Sequence, residues 1–264
     1  MGGAHPLARA VAALVGLAAT VIPLLLALGV ISPIGDKDAL TESRARTLEA
    51  GSSKIRIDVD AGARTTEYTA TGTFDYREDR GTFRYNLTRN PAFEAVAAGE
   101  IRFFQNVAFT DMLAGSPRPW VLIDLEDDPA LAANTAKECK GGGLDVGPVA
   151  EIRIEDPTRV LAALAASAEL ADLGTDREFG VELHKYRGTL RATGARGRVT
   201  ATAWIDDDDL VRRIQLAAAG GASTTTMTFY DFGAPVDTAP PPAAEVVPLA
   251  DILKAKFREC NLRQ

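Results

Sequence analysis

Between Arg198 and Gly233 the chain is built for β-structure, and this stretch constrains the fold more than any other. Val199 to Ile205 reads as a strand, Asp206 to Asp209 as a tight acidic turn, and Leu210 to Ala217 as a second strand. Gly220 and Gly221 turn the chain again into a third strand, Ser223 to Phe232. Threonine, aromatic and aliphatic residues dominate all three, which predicts a three-stranded antiparallel meander. The edges of such a ribbon need partners, and the upstream chain supplies more strands of the same kind.

The cleanest of these is Thr66 to Tyr76. Tyr68, Ala70, Gly72, Phe74 and Tyr76 point one way, while Glu67, Thr69, Thr71, Thr73 and Asp75 point the other. One face is therefore buried and one wet. Before it, Ile55, Ile57 and Val59 alternate with Arg56 and Asp58, and Ala61 to Ala63 makes the turn. After it, Arg77 to Gly81 turns the chain into Thr82 to Thr88, with Phe83, Tyr85 and Leu87 on one face. Asn90-Pro91 with Gly99 frames a short segment, Phe93 to Ala98, that suits a helix or a strand equally. Ile101 to Thr110 and Trp120 to Leu125 are further strands, separated by a Gly115 to Pro119 loop. Glu126 to Gly147, with room for a helix through Ala130 to Lys137 and a glycine run at Gly141 to Gly143, reads as a connection.

The strongest helix signal beyond residue 50 begins at Asp156. Asp156 is a good N-cap, Pro157 suits the first turn, and Val160, Leu161, Leu164, Ala165 and Ala168 form one apolar stripe that ends near Gly174. Arg177 to Ala192 then gives two strands or one bent strand. Pro240 to Pro242 forms a stiff exit, and Leu249, Ile252, Leu253 and Phe257 predict a closing amphipathic helix. The expected fold class is α+β: a strongly curved antiparallel sheet of about 8 to 11 strands around one main helix and smaller ones. A curled sheet of this size has a concave apolar face that helices or a ligand must fill.

The N-terminus bears on the compartment. No residue from Ala10 to Ile34 is charged, a run longer than the roughly 20 residues that cross a bilayer as a helix. Arg9 precedes it and Asp36 follows, which places residues 36 to 264 outside the cytoplasm. A cleaved signal peptide ending at Ala27-Leu28-Gly29 is the alternative to an uncleaved single-pass membrane anchor over residues 10 to 34. Residues 36 to 50, with alternating charges, read as a juxtamembrane segment leading into a short helix. The expected divisions are thus 1–35, 36–50, 51–247 and 248–264. The two cysteines, Cys139 and Cys260, both lie on the exported side, where a bridge between them is the economical expectation and two free thiols the alternative. With Arg9 set aside, 28 basic residues face 36 acidic ones, a formal charge of −8 that argues against nucleic acid as a partner.

Catalytic machinery is sparse. His184 is the one histidine beyond the N-terminal tip, Ser116 precedes a proline, Ser223 sits in a threonine-rich strand, and no G-x-S-x-G turn occurs. Two cysteines and one histidine make a poor zinc site. Asp206 to Asp209 has the carboxylates for calcium, but a solvated β-turn explains them as well. The expectation is no enzyme, no metal and no cofactor.

Several phrases occur in a fixed order: Gly72-Thr-Phe-Asp-Tyr, Pro119-Trp-Val-Leu-Ile-Asp, Asp156-Pro-Thr-Arg-Val-Leu, His184-Lys-Tyr-Arg-Gly, Trp204-Ile-Asp with Leu210-Val-Arg-Arg, and Tyr230-Asp-Phe-Gly before Ala239-Pro-Pro-Pro. Together, across about residues 45 to 247, they resemble the LolA-like, LppX/LprG type of envelope lipoprotein of high-GC Gram-positive bacteria. The resemblance implies a curved half-barrel wrapped around helices, with an apolar cavity for the acyl chains of lipids or lipidated proteins. It implies an envelope carrier or binder rather than an enzyme. Phe74, Tyr76, Phe83, Tyr85, Phe103, Phe109, Trp120, Trp204 and Phe229 on the strands, with Leu161 and Leu164 on the helix, are the expected cavity residues. Two features depart from the family: the lipid-modified cysteine is missing, which makes the apolar N-terminal run its substitute as anchor, and the tail after Val247 runs beyond the matched part. A second reading keeps the fold but fills the cavity with the protein's own helices, leaving a membrane-anchored sensor or a surface for another envelope protein.

Overall fold

A computed structural model describes residues 34–60, 67–89, 98–111, 117–125, 157–178, 180–191, 198–218 and 223–262. The chain opens with helix α1 (Ile34–Ala50), followed by strands β1 (Ser52–Asp60), β2 (Glu67–Asp75), β3 (Arg80–Arg89), β4 (Ala98–Phe104), β5 (Val107–Thr110) and β6 (Trp120–Asp124). Helix α2 (Pro157–Ala165) leads into β7 (Ala171–Glu178), β8 (Val181–Arg191), β9 (Arg198–Asp206), β10 (Val211–Ala218) and β11 (Thr224–Tyr230). The short strand β12 (Val246–Pro248) and helix α3 (Leu249–Leu262) end the fold.

All twelve strands join one open, curved sheet in the order β12-β6-β5-β4-β3-β2-β1-β11-β10-β9-β8-β7. Every pairing is antiparallel except β12 on β6, which is parallel. Two meanders, β1 to β6 and β7 to β11, therefore meet where β1 pairs with β11, Lys54 opposite Tyr230 through Asp60 opposite Thr224. From β11 the chain returns to β6 along the outer face of the other meander, where Thr82 and Arg102 stand opposite each other. The Ser52 hydroxyl donates to the Ala234 carbonyl (2.6 Å), Thr82 Oγ1 to Thr238 Oγ1 (2.5 Å), and Arg102 Nη1 to the Ala239 carbonyl (2.9 Å).

Burial alternates along β1, β4, β5 and β6 with the main core on one face, whereas β9 is buried on both faces from Ala201 to Asp206. Ile55, Ile57 and Val59 of β1 are buried, and Phe74, Phe83, Ile101, Val121, Ile214, Met227 and Phe229 join them. Helices α1 and α2 pack on each other and against β1, β8, β9 and β10, while α3 packs against β6 and β12. Gly188 on β8 lets α2 come close: a Cβ there would lie 3.0 Å from a Leu164 methyl and 3.1 Å from the Ser167 hydroxyl.

Several expectations need correction. Among the described residues the strands number twelve, because Ile101 to Thr110 falls across β4 and β5, which fold back at Gln105 with φ of 53°, and because Val246–Pro248 adds the unexpected β12. The helix at Asp156 is short, ending at Ala165, and the residues expected to extend it toward Gly174 instead turn and enter β7. The longer helix is α1, in the stretch read as a juxtamembrane lead-in, and Leu40 is fully buried in the core. Its buried positions, Asp36, Leu40, Ser43 and Thr47, are spaced for one helical face but three are polar, so hydrophobic periodicity gives no sign of it. The anchor at residues 10 to 33, the Phe93 to Ala97 segment, the Gly141 to Gly143 run and Cys139 lie outside the described residues, as does the side chain of Cys260. Among the described residues no helix is long and apolar enough to cross a membrane.

Candidate functional site

The sheet register brings the buried aromatics of β2, β3 and β4 into rows across the inner face. One row runs Phe229, Ile55, Gly72, Phe83, Ile101, Thr110 and Val121. The next runs Ser53, Phe74, Gly81, Phe103, Ala108 and Ile123. Glycine stands opposite an aromatic in each, and the ring fills the notch. A Cβ on Gly72 would lie 2.7 Å from Phe83 Cδ1, and one on Gly81 2.6 Å from Phe74 Cδ2. Covering a glycine with a cross-strand ring preserves packing where the sheet bends, so these pairs stabilise a curved aromatic floor. Phe83 and Phe103 meet edge to face with centroids 5.9 Å apart, and Phe74 and Tyr76 lie 5.8 Å apart. The Tyr76 hydroxyl closes that end with a 2.5 Å hydrogen bond to Ser53 Oγ.

At the opposite end of the same floor the lining turns polar. Tyr85 on β3 faces Gly99 on β4. A Cβ on Gly99 would lie 2.3 Å from the Tyr85 hydroxyl and 2.4 Å from Asp111 Oδ1, so only glycine leaves room for both groups. The Glu100 amide donates to Asp111 Oδ1 at 2.8 Å, which folds the carboxylate back over β4. Burial pushes the Asp111 carboxyl above its ordinary range, against the pull of that amide. Burial likewise raises the Tyr85 phenol, with the Thr110 hydroxyl opposing and the Asp111 charge adding to the shift.

Of the expected cavity residues, Phe74, Tyr76, Phe83, Tyr85, Phe103 and Phe229 face this interior, with Leu161 and Leu164 of α2 in the same core. Phe109, Trp120 and Trp204 do not share that floor. Phe109 pairs with Arg102 and Leu122 on the outer face, and Phe104 meets it edge to face. Trp120 stacks under the Arg102 guanidinium at 4.6 Å. Trp204 is buried from outside, between Lys185 (4.9 Å) and Arg213 (5.5 Å) from the flanking strands. Aromatic content alone does not reveal the face; one residue of register decides it.

The acidic turn is structural. Asp206 Oδ1 accepts the Leu210 amide at 2.8 Å and the Asp208 amide at 3.1 Å, and Oδ2 accepts Arg212 Nε at 2.5 Å. His184 lies on β8 opposite Ile205. Among the described residues no cluster of histidine, cysteine and carboxylate could hold a metal ion.

No protein-family model matches the sequence, and no curated protein does. Solved structures do. The Mycobacterium tuberculosis lipoprotein LppX aligns over 76% of this chain and 99% of its own, at 14% identity and a TM-score of 0.47. LprF from Mycobacterium bovis aligns over 78% of this chain and 97% of its own, at 18% identity and a TM-score of 0.46. A putative outer membrane lipoprotein-sorting protein domain from Vibrio parahaemolyticus aligns over 83% and 97%, at 9% identity and a TM-score of 0.29.

One titration is separable from the aromatic floor. Asp36, in the first turn of α1, has its carboxyl raised above the ordinary 3.8 by burial first and by the Asp172 charge second. A raised carboxyl contributes stability that is complete below about 3.8 and is lost as pH climbs through the folded value. Asp36→Asn removes that loss. The variant should melt higher than the parent at pH 7 and match it near pH 3; equal melting at both values would rule the effect out.

Proposed function

We propose that this chain binds lipids or other acyl-bearing hydrophobic molecules in the cell envelope, outside the cytoplasm, on the inner face of β2 to β4. The carrying observation is the floor of Phe74, Phe83 and Phe103, which lies between the surfaces where the described helices make their main contacts: α1 and α2 on β1 and β8 to β10, α3 on β6 and β12. Each methylene withdrawn from water onto such a surface contributes about 0.8 kcal/mol, so a single acyl chain suffices for useful affinity. The ordered motifs that resemble LppX/LprG-type lipoproteins support the same reading, and the uncharged run from Ala10 to Ile34 supports retention at the membrane. Binding and carriage, with no chemical step, are the activity proposed.

A self-filled core serving an anchored sensor or interaction protein is the second reading, favoured by the near-complete burial of Phe83 and Phe229. Native mass spectrometry with lipid extraction distinguishes the two. About one defined lipid per chain is the expected result. A bare protein mass, unchanged after incubation with acyl lipids, would overturn the carrier reading in favour of the sensor.

A further inference from the structure

We infer that Tyr85, Thr110 and Asp111 form a polar pole for the aromatic floor. It takes the hydrogen-bond-donating head, an alcohol or ammonium group, of an amphiphile whose chain lies along Phe83 and Phe103. The inference rests on the lipid-binding reading above and adds a head-group preference to it.

The geometry is specific. Gly99 is the one inner-face position beside Tyr85 on β4, and it leaves a space into which the Tyr85 hydroxyl and Asp111 Oδ1 both project. The Glu100 amide holds Oδ1 in place, and the backbone amides of Glu100 and of Asp111 itself both favour the charged carboxylate against its burial. Arg102, whose charge Asp111 feels, is committed to Glu100 Oε1 at 2.6 Å and to the Ala239 carbonyl. An ionised carboxylate only accepts hydrogen bonds, and a half-buried one at the margin of an apolar surface is costly unless a donor meets it. The complementary ligand group is therefore a donor. A ligand carboxylate would meet like charge instead.

The spacing suits one chain. From Tyr85 along β3 to Gly81, beside Phe74 and Phe103, is four residues, about 13 Å at strand rise. That span is comparable with an extended dodecyl chain, and the Ser53–Tyr76 hydrogen bond closes its far end.

The test uses the full chain in a short-chain glycol ether detergent that is released in native mass spectrometry. Dodecanol, dodecyl methyl ether and dodecanoate are titrated separately. The parent protein should bind dodecanol roughly tenfold or more tighter than the ether, the difference expected for a hydrogen bond to a charged acceptor. Dodecanoate should bind more weakly than dodecanol. Asp111→Leu should abolish the preference for the alcohol while the ether still binds, which shows that the floor survives the substitution. Asp111→Asn, which keeps the shape and removes the charge, should recover dodecanoate binding. Equal affinity for alcohol and ether in the parent, or a preference that survives Asp111→Leu, overturns the head-group inference and leaves lipid binding standing. Binding of none of the three overturns both.

Discussion

Phe83→Asp will abolish retention of an acyl ligand and destabilise the fold by about 4 kcal/mol, within the range for losing a large buried aromatic. Phe83 is 1% exposed, lies edge to face against Phe103, and fills the notch above Gly72. Removing the ring opens a cavity beneath the floor, and the carboxylate adds the cost of an unpaired charge. Loss of folding alone could mimic loss of binding, so Phe83→Leu is the companion. It keeps most of the buried volume, should cost only about 1.5 kcal/mol, and should retain the ligand more weakly. Urea denaturation followed by native mass spectrometry reads both effects. A folded Phe83→Asp protein that still carries its lipid would place the ligand elsewhere.

Gly72→Ala should be nearly as damaging, although it adds one methyl. The new Cβ would stand 2.0 Å from the Thr82 carbonyl oxygen and 2.8 Å from Phe83 Cα. Backbone cannot swing away as a side-chain tip can. Strands β2 and β3 must separate locally, at a cost of about 3 kcal/mol for overpacking of this kind. Gly81→Ala presents the same problem against the Thr73 carbonyl at 2.5 Å. Gly35→Ala is the control, because a Cβ there meets nothing within 4 Å. Thermal melting should show large losses for the two sheet glycines and little change for Gly35. Similar melting for all three would mean that the strands are not paired this closely.

Most of the sheet was legible because its physics is local. The β9 to β11 meander follows from strand-forming runs separated by acidic and glycine turns, and the β2 and β3 faces follow from strict alternation. Helix α1 was not legible as a core element, since Asp36, Ser43 and Thr47 occupy the buried face where an apolar stripe would announce it. The β4–β5 turn escaped for the opposite reason: Gln105 adopts a left-handed conformation without the glycine that usually signals one. Of the site, the floor of Phe74, Phe83 and Phe103 could be read from parity. Trp204 could not be assigned to the outer face, because its cover comes from Lys185 and Arg213 on strands whose register is not written in the local sequence. The Tyr85–Asp111 pole has no local signature either. It exists only once β3, β4 and β5 are paired, with Gly99 beneath it.

The seam between β1 and β11 also governs how such a chain reaches its native state. Within each meander, strands pair with neighbours in sequence, and pairings of low contact order form early. Across the seam, Ile55 has to find Phe229, and the core residues on both sides wait for that encounter. The entropy of closing one long loop, more than the number of strands, then sets the folding time. Until it closes, the facing edges of β1 and β11 are open templates for any other extended chain, which makes this seam the place where folding competes with aggregation.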